Sequence, residues 1–439
     1  MDVIFPKTPY IFSMRSCGML LCERRDFHMK QNLWNRDFTL LTVATVLGAA
    51  GGIASSFAMS FLVFDETGST LAAALLLALE LVPQFVIPLV ASPWLDRLPR
   101  KPFLVAGDAL NGVLYAAAGI YLLLRPFTYT GYLLFSLLIS CLGAFDSMAY
   151  NALYPLLIPQ GCEQKGYTVC GMIYPTMQVI MAPVAAVMYE KMGVGWMLAL
   201  QGILSLLAAG VESGVGVKEQ RRLEKTRFSI KLWAGDLKEA WRYLRGQKGL
   251  AAIYEYMAVT NGVCSGFGPL IIAFFRTAPG FSLVMYSLFS VAEFAGRTLG
   301  GAVHYKIPIP AKKRFGFAFL VYQVYEFMDM LLLWLPYPLM LINRGLCGFL
   351  GVNSAILRET AVQTFLPDEL RAKLNAFSSM LYSAFSCVAA LAIGAMGEVL
   401  DLRLGVSICG VFACGVCWAT IWRRRKQVRE IYNLSRTEE

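Results

Sequence analysis

The chain has 439 residues, 57% of them hydrophobic and 15% charged, with a net charge of +10 and a mean hydropathy of +0.56. A soluble domain carries about a quarter charged residues, so this mix excludes one and places the chain in a bilayer. Two histidines, His28 and His304, practically exclude a His-based metal centre.

The first 37 residues form an N-tail. The run "DVIFPKTPYIFSMRSCGMLLCERRDFH" is broken by Arg15 and lacks a small-residue cleavage site, which argues against a signal peptide. Met29 opens a short basic lead, so residues 1–28 read either as native tail or as a start-site extension, loosely attached in both cases.

Windows of about 20 residues, the span of a hydrocarbon core, then predict twelve membrane helices. The first six are Phe38 to Phe64, Thr70 to Leu95, Pro102 to Leu124, Gly131 to Ile158, Thr168 to Tyr189 and Val194 to Val211. They make an N-terminal bundle over 38–212, followed by a linker, 213–248. In the linker, Ile230, Trp233, Leu237, Trp241 and Leu244 recur at helical spacing among Lys and Arg, the pattern of an amphipathic helix on an anionic leaflet. Six more spans follow: Gly249 to Phe275, Phe281 to Val303, Phe315 to Leu335, Pro338 to Leu357, Leu374 to Met396 and Gly405 to Trp422. These make a C-terminal bundle over 249–422, and a basic tail, 423–439, ends the chain. With so little water at that depth, continuous segments of this length must be helices.

Lys and Arg of short loops stay on the cytoplasmic side. Counted over alternate loops from a cytoplasmic N-terminus, 33 of the 39 fall inside and four outside, with Arg297 and Arg344 within spans. Both termini are therefore expected in the cytoplasm of a bacterial cell. The positive net charge is mostly topology and calls for no nucleic acid.

The eleven cysteines lie mostly within spans. They indicate no disulfide framework, and no metal or cofactor is expected. No Gly-rich phosphate loop or nucleophile motif appears.

The halves echo each other. Glu80 precedes the basic loop "DRLPRK" by 16 residues and Glu293 precedes "IPAKKR" by the same 16. "LIPQGCEQKGYTVCGMIY" and "FLPDELRAKLNAFSSMLY" align at Pro159 and Pro367. A duplicated six-helix unit accounts for this, and parallel repeats of this kind place a substrate site at their interface near mid-bilayer.

"SPWLDRLPRKP", Ser92 to Pro102, resembles motif A of the major facilitator superfamily. Asp96, Arg97, Arg100 and Lys101 match it, while Ser92 and Pro99 replace its two glycines. The overall layout is similar to bacterial macrolide-efflux-type and other drug-exporting members over residues 30–425. The resemblance implies an all-α polytopic protein of two pseudo-symmetric six-helix bundles, acting by alternating access. It gives Asp96 and Arg100 a gating role between the halves, consistent with a carboxylate facing a helix N-terminus; alternatively, the basic residues only set topology. The equivalent of the exporters' motif C, "APVAA" at Ala182 to Ala186, keeps Pro183 but has Ala for both glycines.

A charge at the bilayer centre costs about 2.5 to 3.5 kcal/mol on insertion scales, which makes the polar residues within spans informative. Glu80 and Gln84 share a helix face. Asp146 sits at comparable depth, with Tyr150 and Tyr154 following at four-residue steps. With Asn353 they are candidate cavity residues, Glu80 and Asp146 as proton-binding acids; the alternative for each is a buried packing residue. Glu293 and Arg297 have the spacing of an ion pair on one helix, and they are also candidates for substrate contact. Asp329 and Arg344 lie equally far from the tight turn at Leu335 to Pro338, about 11 Å along each helix. An ion pair between spans nine and ten is expected there.

Transport outranks two other classes. A membrane sensor on a transporter scaffold would add a soluble signalling domain, and a membrane-embedded enzyme would need a His, Asp or metal cluster near one face. Within transport, the reading is proton-coupled efflux of amphipathic compounds by a functional monomer; a dedicated metabolite or nutrient carrier is the alternative.

Overall fold

A chain crossing hydrocarbon must bond its own peptide groups. The computed structural model describes residues 33–95, 99–159, 162–216, 230–307 and 309–434, and among them it does so with helices alone. The first half comprises α1 (Arg36–Thr67), α2 (Thr70–Leu95), α3 (Arg100–Leu124), α4 (Tyr129–Leu157), α5 (Glu163–Met192) and α6 (Val194–Ser213). A linker helix, α7 (Ile230–Gly246), leads to α8 (Lys248–Thr277), α9 (Leu283–Lys306), α10 (Ala311–Leu331), α11 (Tyr337–Phe365), α12 (Asp368–Gly397) and α13 (Leu402–Cys417). A π-helical turn, Trp418–Trp422, prolongs α13, and α14 (Arg425–Asn433) follows.

Eleven of these helices are long and apolar enough to cross a membrane. The twelfth expected span, α9, has 24 residues, but Glu293 and Arg297 lower its mean hydropathy. The observed helices overrun several expected spans. The clearest case is α11, which runs to Phe365, so Arg358 and Glu359 lie in the helix and not in a loop.

The duplication is visible in the packing. In the first half α3 packs on α6, α1 on α6, α2 on α4 and α1 on α5. In the second half α10 packs on α13, α8 on α13, α9 on α11 and α8 on α12, the same four pairings. Glu80 and Glu293 each stand ten residues past the start of their helix, α2 at Thr70 and α9 at Leu283. Small residues set the closest approaches: a Cβ on Gly296 would fall 1.8 Å from the Gly345 carbonyl oxygen, so α9 and α11 cross with nothing between their backbones.

One end of the bundle, the terminal face, gathers the start of α1 and the ends of α4 and α6. There the Asn35 side chain donates to the Leu157 carbonyl at 3.3 Å and the Gly216 N–H donates to Asp37 at 2.9 Å. At the same face α7 docks on the second half. Its Ala240 and Leu244 are buried, and Lys373 of α12 bridges Asp236 and Glu239 at 2.8 and 2.7 Å. The C-terminal tail, expected only to be basic, forms α14, whose Val428, Ile431 and Tyr432 are buried against the second half. The halves join through α2 with α12, α5 with α9 and α1 with α8.

Candidate functional site

The stripe Ile53, Ser56, Phe57, Ser60 and Phe61 follows the three-and-four spacing of one helix face. This face of α1 meets Tyr174, Gln178 and Ala182 of α5, Ile272 of α8 and Tyr286, Ser287 and Ser290 of α9 around a cavity of about 160 Å³. The cavity therefore draws on both halves. The ring of Tyr286 crosses from the second half to the first, 5.2 Å from Phe61 and 6.1 Å from Phe57. Every lining side chain is uncharged. Aromatic faces, the hydroxyl groups of serine and tyrosine and one amide suit an amphipathic solute with little net charge.

The cavity is closed at the distal face, the end away from the termini. Arg276 of α8 grips Asp65 of α1 with two donors, Nε at 2.6 Å from Oδ1 and Nη2 on Oδ2, and the Tyr189 hydroxyl donates to the same carboxylate at 2.7 Å. Beneath them Phe61, Phe64 and Ala186 of the first half pack with Ile272, Ala273 and Leu283 of the second. Ala186 is fully buried in this layer, and Ala182 lines the cavity. Nearby, Glu398 accepts from Ser69, Thr70 and the Leu71 N–H, capping the start of α2.

The lining of this cavity includes none of the sequence-predicted site residues. Glu80 faces α4 instead and accepts from Ser136 at 2.9 Å, and Gln84 lies beside Gly143. Asp146 turns toward Gly107 of α3. Tyr150 hydrogen-bonds Thr45 at 3.4 Å, while Tyr154 is buried and donates to the Gly166 carbonyl at 2.6 Å. Glu293 and Arg297 pair along α9, Nη2 to Oε1 at 2.7 Å. Asn353 is buried and binds the Gly300 and Phe349 carbonyls and His304, tying α11 to α9. Arg344 Nη2 lies 3.1 Å from Asp329 Oδ1, and both are buried. Arg100 donates to the Ala152 carbonyl of α4 at 2.9 Å and Lys101 to the Ser213 carbonyl at the end of α6 at 2.7 Å, so each bonds a helix of its own half. Asp96, Arg97 and residues 1–28 lie outside the described residues.

Three further acids escaped sequence reasoning. Asp108 of α3 and Glu212 of α6 join Asp146 as electrostatic neighbours, the charges of Asp108 and Asp146 both acting on Glu212. Asp146 Oδ1 and Glu212 Oε2 are buried without a hydrogen-bond partner among the described residues. In the second half Glu326 is buried and accepts from the Tyr256 hydroxyl at 3.2 Å. Glu212 lies at the end of its span, where a charge costs little; Asp108, eight residues past the start of α3, and Glu326, within α10, carried a legible signal inside their expected spans.

Comparison with known proteins places this architecture. Macrolide efflux protein A of Streptococcus pyogenes is 23% identical over 280 residues, 62% of this chain and 67% of that protein. Among solved structures, a bacterial homologue of the human lysosomal transporter Spinster, in an inward-facing and unoccupied conformation, aligns with TM-score 0.61 and 13% identity over 91% of this chain and 93% of that one. A POT family transporter in complex with 5-aminolevulinic acid gives TM-score 0.68 and 11% identity over 89% and 96%. The nucleoside transporter NupG gives 0.65 and 11% over 88% and 98%. The sequence profile of the Major Facilitator Superfamily matches residues 40–325. The match covers more than half of the chain, and the chain belongs to that superfamily of transporters, which are not enzymes.

Proposed function

We propose that the protein exports amphipathic, weakly charged organic compounds across a bacterial cytoplasmic membrane, coupled to proton entry, as a monomer with both termini in the cytoplasm. The observation that carries this reading is the uncharged cavity of aromatic and hydroxyl side chains between the halves. Its closure by Asp65 and Arg276 at the distal face supports an inward-open state, because the Lys and Arg bias assigns the terminal face to the cytoplasm. The 23% identity to macrolide efflux protein A supports the outward direction and the solute class.

The proton is assigned to acids buried within the first half, not to the cavity wall. Glu80, bonded to Ser136 between α2 and α4, and Asp146, beside Asp108 and Glu212, are buried acids with no cation paired to them among the described residues. Losing or gaining a proton there changes how α2, α3, α4 and α6 pack, and α2 passes that change to α12 of the other half.

The test is flux in proteoliposomes with and without an imposed pH gradient, using a macrolide, an uncharged aromatic amphipath, a nucleoside and 5-aminolevulinic acid. The gradient should drive extrusion of the first two, and Glu80→Gln or Asp146→Asn should abolish the drive. Extrusion with wild-type pH dependence in both variants sinks the coupling role. Uptake of the nucleoside or 5-aminolevulinic acid alone would favour a nutrient carrier.

A further inference from the structure

A second, larger cavity of about 320 Å³ lies within the second half, near the terminal face between α8, α11 and α12. Its wall shares no residue with the central cavity. Tyr254 lines this one and Ile272 the other, 18 residues apart on α8, or about 27 Å along the helix axis.

Two adjacent residues of α11 supply opposite charges to this wall, Arg358 and Glu359. The Arg358 guanidinium is half-buried among the hydroxyl groups of Tyr322, Tyr382 and Tyr432, and it makes no ion pair with a carboxylate among the described residues. A cation withdrawn from water among neutral neighbours is incompletely compensated. On the α8 wall the Tyr254 hydroxyl is buried near Ser378 and Glu359 without a well-formed hydrogen bond. Glu359 sits at the exposed mouth, where among the described residues its carboxylate accepts only from the Gln363 amide, at 2.9 Å. Gln363 in turn donates to Asn375 of α12 at 3.0 Å, which fixes the mouth between two helices.

We infer that this cavity binds a small zwitterion, with its oxyanion on Arg358 and its ammonium group on Glu359. The guanidinium offers a fork of donors to a carboxylate or phosphate. The carboxylate at the mouth compensates an ammonium group that remains partly hydrated. A free amino acid and the phosphoethanolamine headgroup of a membrane lipid share this chemistry. The site stands apart from the transport reading, since neither Arg358 nor Glu359 touches the central cavity.

The experiment is isothermal titration of the purified full chain with L-alanine, O-phosphoethanolamine, acetate and ethylamine. Thermal unfolding is measured alongside in nanodiscs of phosphatidylglycerol with or without phosphatidylethanolamine. A zwitterion should bind saturably where acetate and ethylamine do not. Arg358→Gln and Glu359→Gln should each weaken binding at least tenfold, and Tyr286→Ala in the central cavity should leave it unchanged. Binding of free zwitterions identifies a solute site; stabilisation by phosphatidylethanolamine alone, lost in Glu359→Gln, identifies a lipid-headgroup site. Should Arg358→Gln not fold, Glu359→Gln, altering an exposed carboxylate, still decides. The inference is overturned by no response to either zwitterion or to phosphatidylethanolamine, by a response unchanged in Glu359→Gln, or by its loss in Tyr286→Ala.

Discussion

Glu398, just past the end of α12, accepts the Leu71 N–H at the start of α2 at 2.9 Å, so a carboxylate of one half caps a helix of the other. Ser69 adds a hydrogen bond at 2.7 Å, and these donors hold the Glu398 carboxyl below its ordinary range. A depressed pKa means that the contact is fully present above the ordinary carboxylate range and is lost as pH falls through the lowered value. Acidifying the distal side to that range should loosen the α2 to α12 contact, and Glu398→Gln should remove the pH dependence. Because the group is largely exposed, the expected effect is small, about 0.5 kcal/mol. Hydrogen exchange of residues 69–73 between pH 7 and pH 3 reads it.

The Asp65 to Arg276 pair is expected to hold the distal face shut. Asp65→Asn or Arg276→Gln should each shift the population toward distal opening by roughly two- to fivefold, the range of a partly exposed bidentate pair. The readout is labelling of Ser60→Cys by an impermeant maleimide added from the distal side. An unchanged rate in both variants would show that the aromatic layer below closes the cavity alone.

Tyr286 carries the cavity's ring contact between halves. Tyr286→Ala should raise KM for an aromatic amphipath by about tenfold, the worth of one lost aromatic contact, while Tyr286→Phe changes it little. Equal losses in both would assign the role to the hydroxyl instead.

Asp329 and Arg344 compensate each other in the interior of the second half. Asp329→Asn alone leaves a buried guanidinium without its carboxylate and should cost about 3–5 kcal/mol, whereas Asp329→Leu with Arg344→Met should cost far less. Thermal unfolding in detergent compares the two.

The order of the spans was legible because hydrocarbon thickness demands long apolar runs, and Glu80, Asp146, Asp329 and Arg344 stood out because charge is expensive there. The central cavity was not legible for the same reason. Ser56, Ser60, Gln178 and Tyr286 cost little to insert, so nothing in their composition separates a lining from ordinary packing. Helix ends failed differently. Hydropathy falls at Arg358 while backbone bonding continues to Phe365, and α14 was hidden because only Val428, Ile431 and Tyr432 betray its face.

The equivalent stations of Glu80 on α2 and Glu293 on α9 show how two copies of one ancestral segment have parted ways. On α9 an arginine one turn further along cancels the acid inside its own helix, and that copy is electrically self-contained. On α2 the same step holds Gln84, so the acid must settle its charge with a neighbouring helix, through Ser136. Under the proposed coupling, α9 carries a charge cancelled in place and α2 a carboxylate that a proton can neutralise against α4, so the two copies should answer acid differently.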